Sequence, residues 1–508
     1  MSNFQDHLPV IVGVGQITEK KPELHKAKNP IQLMKEAAFQ AAEDAGLSLL
    51  QLSKVDELIV VKGMRDRMKN PVDALAQMID AEDATQYMTA TGGNSPQQAV
   101  NYVAEQISQG KVDFALVAGA EALDTSGKAR KAEIKLDWNI PSEKDPVELF
   151  PEKPGSTEAE GNHGMMPPSN TYPLFENAIR HYLGRTFSEH QQKLGELLAK
   201  FSSVAADNPH AWFPIARSPE EISQANDNNR YVGFPYTKFM NSIMRVNQGA
   251  AVIVCSTRKA RELNIPESQW VYLNGCGDAN DHWYVSEREN LYSSPAIKAA
   301  SDAAFNMAGI GSDDIDYFDL YSCFPSAVEV ARFSLGIDDQ DTRPLTVTGG
   351  LPYFGGPGNN YVMHSICSMV EKLRANPGKK GFINANGWYI TKHAVGIYST
   401  EAPTKPWQRE AIADIQARVD AQPKTEYIDE HTGAATVESY SFIHDRSGLP
   451  THGIIMARTD DGKRCVAVTG TSVELLQKLE AEEIDGQAII GRQGSISRKD
   501  DVNVFRFD

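Results

Sequence analysis

The sequence predicts an α/β protein made of two copies of one helix-and-strand unit, split by a long insertion and followed by a β-rich C-terminal domain. Three observations carry this. Residues 31–60 and 296–320 share one order: an apolar-periodic helix, a stop at Gly46 or Gly309, a short loop, an Asp, then an apolar strand. The segment GKVDFALVAG (110–119) aligns without gaps on GKKGFINANG (378–387), pairing Gly110, Lys111, Phe114 and Gly119 with Gly378, Lys379, Phe382 and Gly387. Beyond about residue 401 the pattern changes to alternating strands.

Taken in order, PVIVGVGQ is the first strand, and GVG at 13–15 reads as that strand's turn, because the rest of a dinucleotide fingerprint is absent. Thr91-Gly92-Gly93 and Thr348-Gly349-Gly350 each open a glycine-rich turn leading to a helix. Alternating helices and strands call for mainly parallel sheets covered by helices, with further helices sandwiched between the two copies. A helix N-terminus at the junction would collect N–H groups and positive dipole, where a nucleophile or oxyanion can be stabilised. Residues 124–245 interrupt the rhythm with a segment rich in Pro, Asn, Glu and Lys that includes a helix at 188–207; so long an insertion reads as a lid or binding loop, or as decoration. QGAAVIVCS (248–256) closes the first copy.

The tail begins with a proline-bearing linker, EAPTKPW, and a polar helix, QREAIADIQARVDAQ. Strands at 437–444, 452–459 and 463–470, a helix at 472–483, and strands at 487–493 and 502–508 follow, the order of an OB-type barrel. Interleaved aromatic and basic residues are sparse, so the barrel reads as a packing or gating module. The domains are therefore 1–123 with 246–260, 124–245, 261–400 and 401–508.

The 508 residues carry a formal net charge of -17, which argues against a nucleic-acid partner. The five cysteines (Cys255, Cys276, Cys323, Cys367 and Cys465) have no paired spacing, which fits a reducing compartment. With no basic, apolar leader and no membrane-length apolar run, the expected location is the cytoplasm, away from membranes. Walker A, HExxH, GxSxG and metal-ligand spacings are all missing.

Over residues about 8–400 the chain resembles the thiolase superfamily, nearest its sterol-carrier-protein branch, on PVIVGVGQ, the duplicated halves, the insertion and GAAVIV. The appended barrel resembles that of thiolase-like proteins of type 1. The resemblance implies a duplicated five-layer αβαβα thiolase fold with an inserted loop domain, plus the C-terminal OB-type β-barrel. It also implies CoA or acyl-CoA as ligand, with no tightly bound cofactor.

The family carries its chemistry on four loops. In GGNSPQQAV (92–100), Gly93 stands at the nucleophilic cysteine, followed by Asn94 and Ser95. The second loop reads Tyr321-Ser322-Cys323-Phe324. The family's GHP becomes GGP, with Gly356 in place of the activating histidine, and Asn386 stands where a second cysteine acts as acid/base. Without these groups a family-type acyl-cysteine cannot form, while small Gly93 and Gly356 would widen the pocket.

Two titratable groups remain on these loops. Cys323 and His393 would make a nucleophile–base pair if both faced one cavity; a buried apolar thiol and a hydrogen-bonded structural histidine are the plain alternatives. Tyr321 is either an oxyanion donor or a packed aromatic. His163, Met165, Met166 and Tyr172 fall where the family's pantetheine-facing loop would be, although methionine clusters are commonly packing. His364 reads as a core or helix-face residue. Lys128, Arg130, Lys131, Arg180, Arg185 and Arg245 are the cations available for CoA phosphates. The expectation is a monomeric or homodimeric CoA-thioester protein, either an acyltransferase-type enzyme without the usual cysteine or a non-catalytic binding or partner subunit.

Overall fold

The computed structural model describes residues 4–64, 68–470 and 472–508. The first half contributes β1 (Pro9–Thr18), α1 (Pro30–Asp44), β2 (Glu57–Val60), α2 (Pro71–Met78), β3 (Thr85–Met88), α3 (Ser95–Ser108) and β4 (Phe114–Ala122). The insertion follows with α4 (Pro168–Tyr182), α5 (Phe187–Asp207) and a hairpin, β5 (Tyr231–Phe234) and β6 (Tyr236–Thr237). β7 (Asn247–Ser256) returns to the first half. The second half contains β8 (Val271–Asn280), α6 (Pro295–Ala308), β9 (Tyr317–Leu320), α7 (Pro325–Leu335), α8 (Tyr361–Ala375), β10 (Lys380–Gly387) and β11 (Lys392–Ser399).

The nine core strands run β3-β2-β4-β7-β1-β8-β11-β10-β9. The halves meet edge to edge, with Val10 opposite Tyr272 and Ile11 opposite Val271. Phe318 and Leu320 of β9 donate to the carbonyls of Pro344 and Leu345, so that segment occupies the place β3 takes in the first half. Helices α3 and α8 each touch strands of both halves, α1 and α2 cover one outer face, and α6 covers the other. That is the five-layer arrangement expected. These helices bury Ala99, Val100, Val103 and Ile107 of α3 and Val362, Met363, Ile366 and Met369 of α8, together with polar residues such as Gln97, Asn101, His364 and Ser365.

The duplication is visible in detail. Gly46 and Gly309 stop α1 and α6 at φ 69° and 70°. Asp56 accepts from the backbone N–H groups of Asp113 and Phe114 at the start of β4 (2.9 Å each), and Asp316 accepts from that of Lys380 at the start of β10 (2.9 Å). The glycines of GVG correct the sequence reading, for they lie inside β1 and form no turn. A Cβ on Gly13 or Gly15 would stand 2.1 or 2.0 Å from the carbonyl oxygens of Ala41 and Ala37 on α1. Gly275 and Gly277 of β8 meet Ala304 and Ala300 on α6 in the same way, at 2.2 Å each. A second G-x-G at 275–277 was the signal that these are helix-on-strand contacts.

After Ser399 the chain does not pass straight to the barrel. The indole of Trp407 donates to Leu273 (2.7 Å), and α9 (Ile412–Asp420) packs on β8 and α6. The barrel follows as β12 (Gly433–His444), β13 (Pro450–Thr459), β14 (Arg464–Thr469), α10 (Val473–Ile484), β15 (Gln493–Lys499) and β16 (Val502–Phe507). It closes as β12-β13-β14-β16-β15-β12, with β14 and β16 parallel. The fourth strand was expected at 487–493, but Ile489 and Ile490 are core residues in a turn there, and the Ile489 N–H donates to Glu483 Oε2 (2.7 Å). The strand itself, QGSISRK, turns only Gly494 and Ile496 inward, so it is too polar to stand out. The hairpin of the insertion extends the barrel sheet through β5 on β12. Among the described residues no helix is long and apolar enough to cross a membrane.

Gly15→Ala and Gly277→Ala are predicted to cost similar amounts, each about 1–3 kcal/mol from overpacking a helix against its strand. Urea denaturation of the two variants checks this.

Candidate functional site: a closed thiolase-type centre

The centre lies where the N-terminus of α3 meets the C-terminal end of β10 and the loop after β9. Asn94 at the N-cap makes no side-chain cap bond; the Ser95 hydroxyl donates to Ala90 O (2.7 Å), and Pro96 stands in the first turn, where a missing N–H costs nothing. Three groups fix the preceding loop. Glu152 of the insertion accepts from the N–H and hydroxyl of Thr91 (2.8 Å each), Asn359 Oδ1 accepts from the Gly92 N–H (3.1 Å), and Lys392 Nζ donates to Thr91 O (2.7 Å). Burial lowers the Lys392 amine to about 8.

Gly93 does face this centre, but no room is left beside it. A Cβ there would lie 2.3 Å from Tyr321 Oη, 2.7 Å from Tyr321 Cζ and 2.6 Å from Asn386 O. At Gly356 a Cβ would meet Ser242 Oγ at 2.4 Å. The expectation of a widened pocket is therefore wrong. Tyr321 and Ser242 occupy the space into which a side chain at Gly93 or Gly356 would project.

Tyr321, Cys323, Asn386 and Tyr172 are brought together. The Tyr172 hydroxyl donates to Trp388 O (2.8 Å) and accepts from Asn386 Nδ2 (3.0 Å), and its ring stacks on Phe324 with centroids 4.4 Å apart. Burial pushes the Cys323 thiol up to about 12, although it contacts the Tyr172 hydroxyl, so it stays protonated. Tyr321 packs edge-on against Tyr361 at 5.6 Å.

His393 is not Cys323's partner. It sits opposite Asn386 in the β10–β11 ladder, and its nearest charges are Asp281 and Arg288. Neither ring nitrogen makes a well-formed hydrogen bond, and burial lowers its pKa to about 4, which keeps the ring neutral. The nucleophile–base pair considered from sequence is thus absent. Asn94 Oδ1, Asn386 Oδ1 and Trp388 Nε1 are likewise buried without partners. Trp388 and Ile390, in the β10–β11 turn, hold left-handed φ values of 55° and 56°, a strained state for bulky residues.

Other expected ligand contacts resolve as fasteners. His163 Nε2 accepts from the Asn503 N–H of the barrel (2.9 Å), which leaves the proton on Nδ1, donating to Ala159 O (2.7 Å). Met165 is core, whereas Met166 is exposed. Arg180 is buried against Glu483, and Arg185 is held by Asp339 and Glu329. Lys128 pairs with Asp124 at 2.5 Å, and Arg130, Lys131 and Arg245 remain exposed. His364 donates through Nδ1 to Gln16 Oε1 (2.9 Å) as a core residue, and burial lowers it to about 3.

Sequence reasoning overlooked Lys392, whose only signal is its place beside His393, on the opposite face of the same strand. It also overlooked Glu152 and Asn359, which hold the first loop and carry no motif.

Residues 277–400 match the family model of the thiolase C-terminal domain-like region, and residues 414–499 match that of the thiolase-like protein type 1 additional C-terminal domain. The crystal structure of a monomeric SCP2-thiolase-like protein type 1 from Mycobacterium smegmatis is 33% identical, with a TM-score of 0.85 and 100% of each chain covered. The chain belongs to this thiolase-like type 1 family. Human mitochondrial 3-ketoacyl-CoA thiolase, 15% identical with a TM-score of 0.55, covers 78% of this chain and 100% of its own, and shares the fold. An acetyl-CoA acetyltransferase of Methanocaldococcus jannaschii is 30% identical over 112 residues, and the match spans only 28% of that relative's length and 19% of this chain.

The neutral buried histidines predict a pH dependence. His364 and His393 have folded values near 3 and 4, below the unfolded value of about 6.5. Their contribution to stability is complete above pH ~6.5 and is lost as pH falls, because the unfolded chain takes up the protons first. His393→Gln should flatten the stability–pH slope between ~6.5 and ~4 by about 1.4 kcal/mol per pH unit. Denaturant titrations of both proteins across that range measure it.

Proposed function

We propose that this type 1 thiolase-like chain binds a coenzyme A thioester without performing cysteine-dependent acyl transfer. The observation that carries the second half of this reading is the Tyr321 hydroxyl 2.3 Å from where a Gly93 side chain would begin. A thiolate there would need the space the ring fills, and the nearby thiol of Cys323 is held protonated by burial. The binding half rests on family membership and on unpartnered buried groups at the α3 N-terminus and the β10–β11 turn. Asn94 Oδ1 and Asn386 Oδ1 are acceptors, and Trp388 Nε1 is a donor. The amides of a pantetheine arm offer the complementary N–H and C=O groups, and buried polar atoms without partners are costly until such a ligand arrives. An acyltransferase-type reading through a Cys323–His393 pair is the weaker one, because neither His393 ring nitrogen has a hydrogen-bond partner. The ligand class is CoA or its acyl thioesters, the chain acts as a monomer like its Mycobacterium smegmatis relative, and the cytoplasm suits its buried free thiols.

Calorimetric titration with CoA and with acetoacetyl-CoA, alongside a thiolysis assay, tests both halves. The expected result is saturable one-site binding and no acetyl-CoA formed from acetoacetyl-CoA and CoA. Turnover that alkylation of cysteine abolishes would overturn the non-catalytic half, and failure to bind either ligand would overturn the ligand.

A further inference from the structure

A second polar cluster, independent of the closed centre, lies where the insertion rests on the second half. Glu176 of α4, His190 of α5 and Glu329 of α7 are all buried, with one ligand atom from each lying within 4.8 Å of the others. His190 Nε2 is 2.6 Å from Glu176 Oε1 and 4.0 Å from Glu329 Oε2. The Tyr236 hydroxyl donates to Glu176 Oε2 at 2.7 Å, and Arg185 Nη1 stands 3.7 Å from Glu329 Oε1.

The two carboxyl groups face each other within hydrogen-bonding reach, yet Glu329 Oε2 receives no hydrogen bond although the residue is only 3% exposed. Two carboxylates in contact away from water repel strongly, and one guanidinium at 3.7 Å offsets only one of the two charges. Some further positive species belongs between them, either a shared proton or a cation. The third member decides which fits better. An imidazole nitrogen and two carboxylate oxygens, converging from three helices, form a donor set suited to a borderline divalent ion. His190 Nε2 shares a hydrogen bond with Glu176 Oε1 at 2.6 Å, and a metal ion would take the place of the proton held between them. Glu329 also lines a cleft of about 190 Å³, together with Phe201 and Arg332, which gives an ion a route inward.

We propose that Glu176, His190 and Glu329 bind one divalent transition-metal ion of the zinc type, through His190 Nε2 and one oxygen of each carboxylate. Such an ion would clamp α4 and α5 of the insertion onto α7 of the second half, and it would stabilise the folded chain in proportion to its occupancy.

The test is calorimetric titration of the metal-depleted full chain with zinc chloride, paired with cobalt chloride followed by visible absorption. One equivalent should bind, cobalt should give the band of a protein-ligated ion, and zinc should raise Tm. Glu329→Gln and His190→Gln should each weaken zinc by roughly 100-fold or more, with melting in chelator showing that they fold. Absence of saturable binding by the wild type overturns the proposal and leaves a shared proton. So does binding that both variants retain unchanged, which would place the zinc on another histidine. Should a variant fail to fold, the wild-type cobalt spectrum decides, and a spectrum of the free aqueous ion overturns the proposal.

Discussion

The contact of Tyr321 with Gly93 organises the middle of the molecule. Thiolase-type architecture brings the N-terminus of α3, with its positive dipole and free N–H groups, to the C-terminal end of β10. In a catalytic site that convergence would surround a reactive side chain. In this chain the loop carries Gly93, and the ring of Tyr321 fills the volume beside it. Packing at interior density then transmits the choice outward. Tyr321 rests on Tyr361, Asn386 turns to Tyr172, and Tyr172 stacks on Phe324. Closure is a property of the whole aromatic layer rather than of one substitution.

The insertion and barrel are fastened to the core and to each other by polar contacts. Glu152 fastens the first loop from the insertion. Buried pairs of Arg180 with Glu483 and of Arg464 with Glu438 tie the barrel to the insertion and within itself, and Arg464 reaches on to backbone carbonyls of Ser286 and Arg288. His163 adds a bond to the Asn503 N–H. Buried ion pairs contribute little net stability, but breaking one leaves an uncompensated charge, so they specify how the parts dock.

The fold was legible in the sequence because duplication writes its signals twice. The glycine stops, the Asp before each second strand and the gapless strand pair all recur in the structure with matching geometry. Strand period and helix caps placed the barrel's elements, except where a polar strand lay beside an apolar turn. The site was legible only by subtraction. Gly93 and Gly356 could be read at the motif positions, but what packs against them could not, because Tyr321 and Ser242 reach them from distant parts of the chain. Residue identity shows that a position carries no side chain; only three-dimensional packing shows whether a cavity or a neighbour lies beside it. The same limit hid Glu176, His190 and Glu329, which no spacing rule connects.

A double-mutant cycle on Gly93 and Tyr321 tests the closure most directly. Gly93→Ala in the wild-type background should cost about 1–3 kcal/mol, because its Cβ meets the tyrosine hydroxyl. In a Tyr321→Ala background the same substitution should cost much less, with a coupling of about 1 kcal/mol or more. An equal cost in both backgrounds would mean that the ring does not occupy the vacated position, and the account of a closed centre would fail.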